Sequence, residues 1–338
     1  MKTIQILRKG SPESLKIVDI PEPVLAPDEV LIKVKACGVN FADILARQGL
    51  YPDAPNFPFI PGYEVAGIIA ATGKNVADFR QNDRVLAFTN FGGYAEYAVA
   101  LQTTVRKINE KTEFVEAAGF PVNFCTAYHC LYQTGPFKKG FKVLIHAAAG
   151  GVGQAAIQLC KLNKCVIFGT AGSSEKLQLL KQLKVDYPIN YRTEDFFVRI
   201  NEIFPGQPLD IILDSIGGSY INRGLSLLKP NGRLITFGFA SVSGKNWINI
   251  LWTVLRMKKI NPISLLAKSR GIFGVNILHI FKKNPELAHE SFNNVFGLFQ
   301  DGSVKPHIAL VLPLEQAAEA HRLLQNRDIS GKIVLINP

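Results

Sequence analysis

The chain has 338 residues, beyond the size at which a single hydrophobic core usually stops growing, so two domains are expected. Hydrophobic residues make up 47% of it and charged residues 19%, which excludes a disordered or low-complexity protein. The formal net charge of +11 leaves nucleic acid, a membrane surface or an anionic ligand open as partners, to be separated by where the charge lies.

The N-terminal stretch MKTIQILRKG turns polar too early for a signal peptide, so a cytoplasmic location is expected. Through about residue 120, short alternating segments (Val30 to Val34, Gly67 to Ala71, Arg84 to Ala87, Tyr94 to Ala100) read as strands separated by Pro and Gly clusters. Pro52, Pro55, Pro58 and Pro61 exclude a helix between them and stiffen a loop. Five cysteines (Cys37, Cys125, Cys130, Cys160, Cys165) form no C-x-x-C pair and read as buried free thiols, and the six histidines show no ligand spacing. No metal site is expected.

From about residue 123 the pattern changes to strand and helix in alternation. Val143 to Gly153 reads VLIHAAAGGVG, an apolar strand that breaks into small residues and passes into the helix former QAAIQLCK. Ala148, Gly150 and Gly153 hold the three positions of a G-x-G-x-x-G turn, where only small residues let the backbone approach a pyrophosphate at a helix N-terminus. A second strand follows at Cys165 to Thr170, a helix from Ser174 to Lys184, and further strands at Asp210 to Leu213 and Leu234 to Phe237. This alternation predicts a doubly wound parallel sheet, the Rossmann form of an α/β fold.

The second strand ends in Gly169, Thr170, Ala171, Gly172, Ser173 and Ser174, with Lys176 just beyond. An NAD site usually places a carboxylate there for the ribose hydroxyls, whereas a 2′-phosphate needs cationic or hydroxyl donors. NADPH is therefore the expected cofactor. Between Lys245 and Lys283 lie eight basic residues and no acidic one, interleaved with Trp247, Ile248, Ile250, Leu251, Trp252, Val254 and Leu255. Basic amphipathic stretches with Trp lie on anionic membranes, so residues 245–283 are a candidate peripheral contact. The plainer reading has their apolar side line a cleft or subunit contact. No nucleic-acid module is recognisable. Leu314 to Gln325 reads as an amphipathic helix, and Lys332 to Ile336 as a last strand able to return to the first domain.

Ordered segments along the chain, ACGVNFADILARQGLYP, PGYEVAG, DRV, GGYAEY, HAAAGGVG, INYR, DSIGG and SGKIVL, resemble the zinc-free quinone oxidoreductase branch of the medium-chain dehydrogenase/reductase superfamily. KPHI at Lys305 to Ile308 and the basic region are similar to its vesicle amine transport protein-like members. The resemblance implies a GroES-like β-rich catalytic domain (1–123 and 300–338) around a Rossmann NADP-binding domain (124–299), with a cleft between them as active site, and a homodimer. Zinc-dependent members carry Cys and His where this chain has Asn40 and Tyr63, an amide and a phenol that cannot replace a thiolate and an imidazole.

By the same resemblance Asn40 and Tyr51 line the cleft beside the nicotinamide, with Asp43 close by, and the cofactor touches Asn40, Tyr128, Gly150, Gly151, Val152, Gly153, Thr170, Ser173, Lys176, Tyr191, Ser215, Phe237, Gly238 and Phe239. Asn40 would donate to the acceptor oxygen and Tyr51 supply a proton. Plainer roles stay open: Asn40 and Asp43 suit turn and helix capping, Tyr51 loop packing, and Phe237 core. The implied function is zinc-independent hydride transfer from NADPH to a quinone, conjugated enone or alkenal. The alternative is a membrane-surface or lipid-transfer protein that keeps the reductase fold as scaffold.

Overall fold

The computed structural model describes residues 1–241 and 260–337. The chain divides into two compact units, Met1–Asn123 with Phe281–Pro338, and Phe124–Ile280.

In the first unit, β1 (Lys2–Ile6) pairs antiparallel with β2 (Leu15–Asp19). Then come β3 (Glu29–Val39), the short helix α1 (Phe41–Arg47), β4 (Glu64–Thr72), β5 (Arg84–Phe88), β6 (Tyr97–Leu101), β7 (Val105–Lys107) and α2 (Phe114–Gly119). Valine, isoleucine and alanine recur along these strands, and Val30, Ile32, Val34, Val65, Ile69, Val85 and Leu86 are all buried. The proline-rich stretch carries no helix or strand, as expected of residues without a backbone donor.

After α3 (Pro121–Tyr128) the second unit alternates β8 (Lys142–Ile145), α4 (Gly151–Leu162), β9 (Val166–Ala171), α5 (Ser174–Gln182), β10 (Tyr187–Asn190), α6 (Phe196–Ile203), β11 (Leu209–Asp214), α7 (Ser219–Leu227), β12 (Leu228–Thr236) and, after a short helix Pro262–Lys268, β13 (Gly271–Gly274). All six strands are parallel, in the order β10-β9-β8-β11-β12-β13. Successive strands step outward one way from β8 and then the other from β11. The carboxyl ends of β8 and β11 therefore flank the switch point where such sheets bind ligands. Leu144, Phe168, Ile189, Phe196, Ile200, Ile212, Leu227 and Leu234 pack a core against the sheet.

The return strands β14 (Ile308–Pro313) and β15 (Lys332–Ile336) belong to the first unit, whose sheet runs β14-β15-β3-β4-β5-β7 with β6 also on β3. The chain rejoins this unit at Phe281, earlier than residue 300. The helix Pro285–Gln300 brings Phe292 against Phe88, with ring centroids 5.0 Å apart, and Arg106 donates to Asn293. In sequence this helix has the same apolar periodicity as those of the α/β unit, so periodicity could not assign it.

Candidate functional site

In the second unit, β8 ends in a turn shaped by small residues. Ala147 adopts a positive φ of 50°, its N–H donates to Thr170 Oγ1 (3.3 Å), and Ala148 N–H donates to the Thr170 carbonyl (3.0 Å). Thr170 Oγ1 also lies 3.2 Å from His146 Nδ1, so the threonine, buried at the end of β9, holds the turn in place. A Cβ on Gly153 would lie 2.7 Å from the backbone of Ala147 and Ala148, so only glycine lets α4 start this close to β8. Gly150 is the N-cap of α4 and supplies no side-chain cap, which leaves the first-turn N–H groups of Gly151, Val152 and Gly153 facing a potential anion.

At the end of β9, Tyr191 packs its hydroxyl against Gly172, where any Cβ would collide with it. Ser173 caps α5, its Oγ accepting from Lys176 N–H (3.3 Å). Tyr191 and Ser173 thereby meet at the start of α5, whose first turn carries Lys176. Sequence reasoning missed Glu175 in the same helical turn, which bonds to its own backbone and to Ser173 and is held below the usual carboxylate range. The acidic residue stands one position past Ser174, beyond the strand end where an NAD site usually places its carboxylate.

At the end of β11, the buried Asp214 accepts from the N–H groups of Ile216 (2.9 Å) and Gly217 (3.0 Å), and burial pushes its carboxyl up. Gly217 and Gly218 have φ values of 77° and 66°, and the Phe239 ring covers Gly217 so closely that no side chain fits there. Ser215 accepts from Ala240 N–H (3.0 Å), Phe237 N–H donates to the Asp214 carbonyl (3.0 Å), and Gly238 packs on Ser215. Phe237 is half-buried. These residues form one laced turn at the carboxyl ends of neighbouring strands. Tyr128 stands apart from them, its ring stacked on Tyr132 at 4.4 Å.

In the first unit the sequence candidates are joined by residues no motif announced. Lys332 at the start of β15 and Glu64 at the start of β4 form a fully buried ion pair, 3% and 0% exposed. Lys332 Nζ donates to Asn40 Oδ1 (2.7 Å), and Asn40 Nδ2 donates to Glu64 Oε1 (2.8 Å). Glu64 Oε2 accepts from Val122 N–H (2.7 Å). Gly38 on β3 leaves the space that the Glu64 carboxylate occupies.

Asn40 is also the N-cap of α1, where Asp43 Oδ2 accepts from its N–H (2.8 Å) and Asp43 Oδ1 from Gly62 N–H (2.9 Å). The capping role foreseen for Asp43 is thus present. Burial nevertheless pushes its carboxyl up to about 7 against the pull of these donors. Tyr94 OH reaches Asp43 (3.3 Å) and His321 Nε2 (3.2 Å), and Arg47 Nη1 lies 3.4 Å from His321 Nδ1. A guanidinium only donates, so His321 accepts at Nδ1 and carries its proton at Nε2, which donates to Tyr94 and turns the phenol's hydrogen toward Asp43. Burial first, then the Arg47 charge, lowers the His321 imidazole to about 3.

Tyr51 touches this region through its ring, 5.9 Å from that of the fully buried Tyr63, whose own ring lies 4.7 Å from Phe91. Neither Asn40 nor Tyr63 fits a zinc ion, since the amide is held by Lys332 and Glu64 and the phenol is packed among rings. Among the described residues no three His, Cys, Asp or Glu side chains gather as a metal site. No helix among them is long and apolar enough to cross a membrane. Trp247, Ile248, Ile250, Leu251, Trp252, Val254, Leu255, Lys245, Arg256, Lys258 and Lys259 lie outside the described residues.

Two family models match the chain: the alcohol dehydrogenase GroES-like domain over residues 26–110 and a zinc-binding dehydrogenase domain over 183–335. The chain is 40% identical over 318 residues to the synaptic vesicle membrane protein VAT-1 homolog of Danio rerio, covering 93% of this chain and 65% of that one. It is 34% identical to human quinone oxidoreductase, covering 99% and 98% of the two chains. The structure of Escherichia coli quinone oxidoreductase complexed with NADPH superposes with a TM-score of 0.88 at 30% identity, over the full length of both.

Proposed function

The chain belongs to the medium-chain dehydrogenase/reductase superfamily, alongside the quinone oxidoreductases and VAT-1 homologues, and on that premise we propose that it is a zinc-independent, NADPH-dependent oxidoreductase acting on a quinone, conjugated enone or alkenal. The observation that carries this reading is the corner at the end of β9. The Tyr191 hydroxyl lies there with Ser173 and the first turn of α5, which carries Lys176, and this supports an adenosine 2′-phosphate site, as the α4 N-terminus without a side-chain cap supports a diphosphate site.

Bound there, NADPH supplies a hydride, and with one proton from solvent or protein the acceptor gains two electrons and NADP⁺ is left. The protein's own part is to hold the nucleotide, exclude water and meet charge as it develops on the acceptor oxygen. Asn40 is assigned that last role through its remaining Nδ2–H, and Tyr51 the delivery of a proton. Ser215, Phe237, Gly238 and Phe239 are assigned to the nicotinamide end of the nucleotide, Tyr128 to a flanking wall, and Thr170 to holding the turn from behind.

The test is NADPH oxidation by the purified protein against one quinone, one enone and one alkenal, with fluorescence titration of NADPH and NADH. Turnover of at least one acceptor and tighter NADPH binding are expected, with EDTA without effect. Absence of any nucleotide binding overturns the reading.

Peripheral contact with anionic membrane through residues 245–283 is supported as a second reading by the helix Pro262–Lys268, where Ile263 and Leu266 are 73% and 80% exposed near Lys268. Co-sedimentation with anionic vesicles that is lost in salt would favour it, and its absence would leave the reductase alone. A homodimer remains proposed from family membership, with sedimentation velocity as its measurement.

A further inference from the structure

We propose that Lys332 is a positioning residue for this reduction: through Asn40 Oδ1 it fixes and polarises the amide whose second Nδ2–H meets the acceptor oxygen. The inference rests on the role assigned to Asn40 above and adds what prepares that amide. Lysine can only donate and a carboxylate can only accept, so the amide atom facing Lys332 must be oxygen and the one facing Glu64 must be nitrogen. The Asn40 side chain therefore has a single orientation, with one hydrogen spent on Glu64 and the other left over. A cation on the carbonyl oxygen draws electron density through the amide and makes the remaining N–H a stronger donor. Glu64 is locked in turn by Val122 N–H, and Gly38 admits it, so the support comes from β3, β4, β15 and the start of α3 together.

A purely structural purpose explains this arrangement poorly. The return strand is already held by the β15–β3 ladder, which runs from Ile333 opposite Val39 to Ile336 opposite Ala36. A sealed ion pair adds a desolvation cost to a ladder that does not need it, and helix capping by Asn40 needs no cation at residue 332.

The experiment uses the full chain, NADPH, and 1,4-benzoquinone or the conjugated enone that the wild type reduces. Lys332→Met/Glu64→Gln removes both charges at once and leaves none buried without its partner. We expect kcat to fall at least about ten-fold, with the NADPH Kd and acceptor KM within about two-fold of wild type, as for loss of a donor used only as charge develops. In an Asn40→Ala background, itself about 100-fold slower, the same pair should produce no further loss. Wild-type kcat in the folded pair variant, or an undiminished loss in the Asn40→Ala background, overturns the proposal. If the pair variant does not fold, Lys332→Gln/Glu64→Gln keeps a neutral donor to Oδ1 without stranding a charge and must show the kcat loss, and normal kcat there overturns it equally. Full activity of Asn40→Ala would sink the role of Asn40 and this inference with it. A slow Asn40→Ala beside a fully active pair variant would sink this inference alone.

Discussion

In the first unit a lysine and a glutamate are sealed from water and grip an amide between them, whereas in the second the turn after β8 has almost no side chains and presents backbone N–H groups. One site is charge held by charge, and the other is space held open by glycine. The first is vulnerable to losing a partner, and the second to gaining an atom.

The largest expected effect follows from that contrast. Lys332→Ala strands Glu64 as an unpaired buried carboxylate and should cost about 3–5 kcal/mol. Gly153→Ala pushes a Cβ against the Ala147 and Ala148 backbone and should cost about 1–3 kcal/mol. Urea unfolding of both variants checks the order. If Gly153→Ala proved the costlier, the two sites would not differ in the way their chemistry suggests.

The buried chain Asp43–Tyr94–His321 gives the first unit a pH signature of two opposed arms. Asp43 has its folded pKa raised from 3.8 to about 7, so its contribution to stability is complete below about pH 4 and is lost as pH rises through 7. At about 1.4 kcal/mol per pKa unit the arm is worth about 4 kcal/mol. His321 has its folded pKa lowered from 6.5 to about 3, so its contribution is complete above pH 6.5 and is lost as pH falls through 3, an arm of similar size. Between pH 4 and 6.5 the two nearly cancel. Asp43→Asn should therefore make stability rise more steeply with pH, and His321→Gln should lower the slope by about the same amount. In the second unit, burial lowers His146 to about 3. Its arm has the His321 sign and should persist in both variants. Melting temperatures across this pH range decide, and an Asp43→Asn profile parallel to wild type would remove the carboxyl from the account.

What could be read from the sequence divides along the same line. The turn after β8 was legible because its chemistry is steric: Ala148, Gly150 and Gly153 keep their spacing in a string of letters, and the flanking apolar runs became β8 and α4. The final strand Lys332 to Ile336 was also legible, from alternation alone. That Lys332 would meet Asn40, 292 positions earlier, was not, because the pairing is created by the β15–β3 ladder, and no local pattern encodes it. That the Thr170 hydroxyl would accept from Ala147 N–H and lie against His146 was not legible, because the contact joins two strands 23 or more residues apart. Glu175 is plain in the sequence but lies on α5, past the end of β9.

A smaller effect tests cofactor choice in the second unit. Lys176→Ala with Tyr191→Phe removes an ammonium and a hydroxyl from the corner proposed to hold the 2′-phosphate, and should weaken NADPH by about 10–100-fold while NADH changes little. The first unit takes no part in this choice, so Lys332→Met/Glu64→Gln should leave the NADPH-to-NADH preference unchanged. Equal losses for both nucleotides in Lys176→Ala/Tyr191→Phe would mean that the corner supports the fold of α5 and does not select the phosphate.

The smallest effect comes from Glu175, and it sharpens the contrast most directly. In the first unit Glu64 carries its charge opposite a buried lysine, but Glu175 is exposed at the N-terminus of α5, bonded to Ser173 and close to where a phosphate would sit. There it competes with the ligand for Ser173 and for the helix dipole. Glu175→Gln removes that competition and should tighten NADPH by about two- to five-fold at low ionic strength, as for an exposed charge in the first turn of a helix. Because the carboxylate is exposed, the gain should fade as salt is raised toward a Debye length of about 8 Å, whereas the consequences of Lys332 substitutions should not. NADPH titrations of wild type and Glu175→Gln at low and physiological salt measure this. A gain that survives salt would mean that Glu175 acts by ordering the Ser173 cap, and tighter NADH to the same degree would place its influence away from the 2′-phosphate.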